Sequence, residues 1–355
     1  VELEGVSMTS LERCLTVLNG GVPDRVPVIP QCFLFSLETA GVKMHEVVRN
    51  AAKMAEAQAV CMERYGYDGC IIDFDDATLA EACGAKVIFR DNDPAVVDEN
   101  EPRIKELRDV ATLKLPDPQT AARLPVWLDA TRALMDRVGK HAFVMGRADQ
   151  GPFTLACLLR GAQQFFIDLA TGEDNAAIGD LIDYCRQVCA LFGKAQKDAG
   201  AHCTSIGDSY ASPNLISPRM YRQYALQPEI DLVNEVQAYG IPMSIHICGN
   251  TTGILPDMAK TGARLLEVDW KVDMGAARKI VPPATTLMGN VNPSDPMVLG
   301  EPGQVREAVR TIIAATGGRG LILSSGCALG RNTKPENMEA LVAAAVEFGT
   351  FPNRG

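Results

Sequence analysis

Short apolar runs of β type recur along this chain, each separated from the next by a stretch long enough for a helix, and this alternation restricts the fold more than any other feature. Counting from Val26 there are eight such runs: 26–29, 69–74, 143–147, 204–207, 242–247, 264–268, 285–288 and 320–323. Thr9-Ser10-Leu11-Glu12 has the spacing of a capping box and opens a first helix that Gly20-Gly21 stops. Pro23-Asp24-Arg25 is a turn, and 31–36 reads as a loop. Further helices are expected over about 45–65, 123–138, 153–170, 175–199, 218–239, 255–261, 274–280 and 304–316. Eight strands alternating with helices point to the α/β class and a parallel (β/α)8 TIM barrel, since open doubly wound sheets rarely hold so many. The 355 residues would also accommodate two domains, but no repeat, linker or Gly-x-Gly-x-x-Gly fingerprint divides them. The expectation is one domain over 1–355. The less regular 75–141, with a possible strand at 86–89 and an acidic loop at 91–101, is expected to be an insertion or lid after strand two.

In such a barrel the residues at the strand ends share one rim, where catalytic groups gather. Here they are mostly ionisable: Asp73, Asp75 and Asp76, then Arg147 and Gln150, Asp208 and Ser209, His246 and Cys248, Glu267 and Asp269, Asn290 and Asn292, and Cys327. A bland reading, in which an acid merely caps the following helix, accounts for about half of them. His246 and Cys248 are two apart on one strand, so their side chains project to the same face. With a second thiol from Cys327 they would provide three ligands and leave one position open, the pattern of a catalytic zinc. Taken singly, His-x-Cys is a weak signal, and a buried cysteine is more often core filler.

A formal charge of −10 and the lack of a Lys/Arg-rich run argue against a nucleic-acid partner. No apolar run reaches the ~20 residues of a membrane helix. Eleven irregularly spaced cysteines and no secretory leader suggest reduced thiols in the cytoplasm.

The opening Thr9-Ser10-Leu11-Glu12-Arg13, Pro23 to Val28, Gly207-Asp208-Ser209 and Leu215 to Tyr221 resemble the uroporphyrinogen decarboxylase superfamily over nearly the whole chain. His246-Ile247-Cys248-Gly249-Asn250, Lys271-Val272-Asp273, Met288-Gly289-Asn290-Val291 and Gly326-Cys327 are similar to its methylcobamide:coenzyme M methyltransferase branch. The resemblance implies a barrel, and Zn2+ held by His246, Cys248 and Cys327, with Asp269, or secondly Glu267, in the fourth position when substrate is absent. It implies transfer of a methyl group between a methylcorrinoid, carried by a separate corrinoid protein, and a thiol such as coenzyme M. Asp208 and Asp73 would orient ligands, and Asp73, Asp75, Arg147 and Asn290 would form the side that meets the cofactor. An alternative is a first-step enzyme that moves methyl from a small methylated substrate to a Co(I) corrinoid protein. A decarboxylase is less favoured: Asp75 fits that branch, but its arginine-rich signature after strand one is replaced by Gln31-Cys32-Phe33-Leu34-Phe35-Ser36. A non-catalytic zinc module is the reading from outside enzymology.

Overall fold

The computed structural model describes residues 8–172 and 174–352, without the side chains of Ala148 and Asp149. Seven parallel strands form one curved sheet: β1 (Gly69–Ile71), β4 (Phe143–Gln150), β5 (Cys203–Gly207), β6 (Met243–Ile247), β7 (Leu265–Val268), β8 (Thr286–Val291) and β9 (Leu321–Ser325), in that spatial order. A separate antiparallel ribbon, β2 (Val87–Ile88) with β3 (Val96–Val97), lies between β1 and β4 in the chain.

The barrel closes through the first run, 26–29, which stands between β9 and β1. Leu323 N–H donates to Pro27 O at 2.8 Å and Ile29 N–H to Leu323 O at 2.9 Å, while Asp68 N–H donates to Val28 O at 2.7 Å. This segment pairs through an isolated bridge rather than a full ladder because Pro27 and Pro30 have no N–H to extend it. On the β1 side the Asp68 carboxylate supplies the missing partner, accepting from Val28 N–H at 2.7 Å.

Alternation along the strands sorts the interior by height. Ile29, Ile71, Phe143, Met145, Cys203, Leu265, Met288 and Ile322 form an apolar floor, plugged from below by Cys14, Val17 and Leu18 of the Ser10–Leu18 helix. Two residues further up six of these strands the same faces carry Asp73, Arg147, Ser205, Glu267, Asn290 and Ser324. The floor is a packed core; the polar layer above it is where a ligand can enter.

Several local expectations differ from what forms. The run at 31–36 is not a loop, for Phe33–Ala40 is helical and ends at Gly41, whose φ of 68° suits a left-handed stop. At eight residues, with its apolar side chains crowded into the first five, that helix carries no clear amphipathic signal. The 45–65 helix is two, Met44–Val47 and Ala51–Tyr65, because the Asn50 side chain caps Lys53 N–H and restarts the turn. Gly161, at φ 83°, likewise divides Pro152–Arg160 from Ala162–Thr171. A last helix, Pro335–Gly349, follows β9 and packs on the Pro302–Thr316 helix. No helix among the described residues is long and apolar enough to cross a membrane.

Candidate metal centre at the barrel mouth

His246 stands on β6 and Cys248 just beyond its end, on the same face; Cys327 follows β9. Their ligand atoms lie within 4.8 Å of one another: His246 Nε2 is 3.2 Å from Cys248 Sγ, and the two sulfurs are 3.8 Å apart. The backbone is shaped for this. Gly249 takes φ 91° immediately after Cys248, and at Gly326 a Cβ would overlap the Trp270 backbone, so the Cys327 loop passes close to the end of β7. His246 Nδ1 lies 3.1 Å from Glu267 O, a contact that sets Nδ1 as the donor and leaves Nε2 to accept a metal. Ser209 Oγ touches Cys248 Sγ at 3.3 Å, and Ser212 donates to Cys248 O at 2.6 Å. All eleven cysteines are free, but nine are buried, whereas Cys248 and Cys327 are half-exposed. The donor set fits a borderline metal such as zinc: one imidazole, two thiols, and an open side.

That open side is a cavity of about 160 Å³, whose lining includes Phe33, Phe74, Asp76, Pro94, Arg147 and the three ligand residues. Arg147 lies across its base, with Nε 2.7 Å from Asp73 and Nη1 3.4 Å from Glu267. Glu267 also accepts from Ser205, from Ser244 at 2.8 Å and from Gln31 at 3.4 Å, so its charge is dispersed over four donors. Asp269 accepts from Gly249 N–H at 2.8 Å and from Lys271 N–H at 2.9 Å. Neither acid belongs to the three-residue group. Asn290 donates to Asp269 O and Val272 O, pinning the loop that Asp269 opens. Asp75 is held by both terminal nitrogens of Arg123 and accepts from Ala77 and Thr78.

Sequence reasoning missed Arg123. Arg147 is the arginine that the strand ends place on the rim, yet Arg123 reaches Asp75 and Glu81 from 42 or more positions away. A signal existed: an arginine directly before a helix N-terminus, where the dipole favours an acid, needs a carboxylate partner elsewhere.

Electrostatically the centre is polarised. Cys248 is lowered to about 3, first by the hydrogen bond from Cys327 and then by His246, against the opposing effect of burial. Burial works against the imidazolium of His246, but the Cys248 thiolate outweighs it and lifts the group to about 9. Cys327, donating to that thiolate, is pushed far up. Without metal the set therefore carries a thiolate, an imidazolium and a thiol, and a divalent ion must displace about two protons. Zinc affinity should accordingly climb as pH rises from 6.5 towards 9, because His246 stays protonated above its ordinary range. Chelator competition at several pH values measures this; an affinity flat with pH would contradict the assignment.

Asp208 accepts from Thr154 N–H at 2.7 Å and Phe153 N–H at 3.3 Å, at the start of the Pro152–Arg160 helix. Behind it Glu229 is fully buried, bonded by Tyr221 Oη at 2.6 Å. Burial, and then the charge of Asp208, push Glu229 well above the ordinary carboxylate range, so it holds the proton between the two acids. With the folded value raised, unfolded chains lose this proton above about pH 4.5 while the native state keeps it, and stability declines from there upward. Glu229→Gln keeps a donor and an acceptor without the titration. Its stability relative to wild type should grow between acidic and mildly alkaline pH, as read by denaturant unfolding.

A family model described as uroporphyrinogen decarboxylase (URO-D) matches residues 9–348. The methylcobamide:CoM methyltransferase MtbA of Methanosarcina mazei is 30% identical over 347 residues, covering 96% of this chain and 98% of that one. The uroporphyrinogen decarboxylase of Hydrogenovibrio crunogenus is 26% identical, with 85% of each covered. Among solved structures, a methyltransferase from Methanosarcina mazei superposes with a TM-score of 0.88 at 25% identity, over 96% of this chain and 99% of its own. A barrel whose floor is apolar, whose mouth carries His246, Cys248 and Cys327, and whose residues follow one family model from the first helix to the last belongs to the uroporphyrinogen decarboxylase family.

Proposed function

We propose that this protein is a zinc methyltransferase that moves a methyl group between a methylcorrinoid, presented by a separate corrinoid protein, and a small thiol. The observation that carries the reading is the convergence of one imidazole and two thiols on a cavity, in a chain similar end to end to a methylcobamide:CoM methyltransferase. A decarboxylase has no evident use for such a set. Zinc bound there would acidify an incoming thiol, so that its thiolate is present at neutral pH.

The chain's own residues hold and shape. Glu267 O orients His246, Ser209 and Ser212 fix Cys248 and its carbonyl, and Asp269 with Asn290 clamps the loops beside them. Asp269 and Glu267 serve here as supports; for either to occupy a fourth metal position it would have to release backbone or side-chain donors. Pro94, from the insertion, lines the cavity, which supports a lid role for 75–141. In the transfer, the thiolate sulfur bonds the methyl carbon, the Co–C electron pair remains on cobalt as Co(I), and the thiol proton passes to solvent.

An anaerobic assay of zinc-loaded protein with free methylcobalamin and a thiol panel tests this. Thiol-dependent loss of the methylcobalamin spectrum is expected. Failure with every thiol, combined with methylation of Co(I) cobalamin by a methoxyarene or methylamine, would replace the reading with the first-step enzyme.

A further inference from the structure

The cavity beside the metal set is acidic in a way that selects its occupant. Arg147 is the one Lys or Arg among the described residues lining it, and Arg147 is already faced by Asp73, Glu267 and Asp76. Arg123, behind the wall, is engaged by Asp75 and Glu81. Two guanidiniums thus confront five carboxylates, and a divalent ion held by two thiolates adds no net charge. An anionic tail would have Arg147 alone as a cation on the cavity wall, already faced by three acids, and would meet like charge at short range in a partly desolvated site.

Asp76 differs from its neighbours. Asp73 and Asp75 are buried against guanidiniums, whereas Asp76 is exposed and lines the cavity. Gln150 bonds it from the side, and although the residue is exposed, desolvation by the protein packed around its carboxyl raises that group while Arg147 opposes the rise. Phe33 and Phe74 add apolar wall beside it. A carboxylate at the edge of an aromatic-lined cavity is the usual surrounding for an ammonium group. A space of about 160 Å³, lined by Asp76 as well as by the metal set, fits a molecule of a few heavy atoms.

Resting on the thiol reading above, we propose that the thiol taken up by this protein carries a protonated amine, not a sulfonate or carboxylate, and that Asp76 receives that amine while the sulfur meets His246, Cys248 and Cys327. The relative MtbA is named for CoM, a sulfonate thiol; this cavity points to a different substrate class.

Three thiols with the same two-carbon spacer separate the possibilities at pH 7.5: 2-aminoethanethiol, 2-mercaptoethanol and 2-mercaptoethanesulfonate. Binding is read from the sulfur-to-metal charge-transfer band of Co2+-loaded protein, and turnover from methylcobalamin demethylation by the zinc form. The amine should bind at least about tenfold more tightly than the sulfonate, a factor of ten being 1.4 kcal/mol. Asp76→Asn should narrow the amine-to-alcohol ratio, and Asp76→Glu should restore it. Demethylation that proceeds with the sulfonate preferred overturns this inference and leaves methyl transfer to thiols standing; no binding or demethylation with any of the three overturns both. The wild-type comparison decides the matter even where a variant fails to fold.

Discussion

Cys248→Ala and Cys327→Ala, made separately, should each leave a folded barrel that has lost zinc and at least about a thousandfold of its thiol-dependent demethylation of methylcobalamin. The size follows from what is removed: without the metal, a thiol near its ordinary pKa of about 8.5 is mostly protonated at pH 7, and the open position that aligns it is gone. The fold should persist because both side chains are half-exposed at the mouth, above an apolar floor they do not touch. Zinc content by mass spectrometry, near-ultraviolet circular dichroism and the assay together check it. Unfolding of both variants would instead indicate a structural zinc.

Arg147→Met should produce the largest loss of stability at the site, about 3 to 5 kcal/mol, because it leaves Asp73 and Glu267 buried without their cation. Adding Glu267→Gln should recover part of that loss, since the amide still accepts from Ser205 and Ser244 without a charge. Urea unfolding of the single and double variants measures the coupling. Equal stability of Arg147→Met and wild type would show that the buried charges are balanced in some other way.

The barrel was legible because β runs and helices alternate with different periods, and because period two alone carries His246 and Cys248 to one face. Cys327 was legible only through the strand order that brings β9 to the same rim. What hid from the sequence did so for local reasons. Pro27 and Pro30 weaken the closing strand until it pairs at little more than one residue, and the Phe33–Ala40 helix is too short, with its apolar residues crowded into one end, to show an apolar stripe. The Pro335–Gly349 helix, rich in alanine, lies beyond the last strand and carries no strong apolar stripe. Side-chain partnerships were the least accessible. That Arg123 belongs to Asp75, and that Glu267 is surrounded by Ser205, Ser244 and Gln31, depends on positions 23 to 236 residues apart. Asp269 shows the same limit: the resemblance implies a fourth metal position for it, and the sequence gives no sign that both its oxygens accept from backbone N–H groups.

X-ray absorption at the zinc edge tests the central claim most directly. The zinc-loaded protein should show one nitrogen and two sulfur neighbours, with sulfur at ~2.3 Å, and a third sulfur on adding a substrate thiol. A shell of oxygen and nitrogen only, or one that does not change when thiol is added, would contradict it.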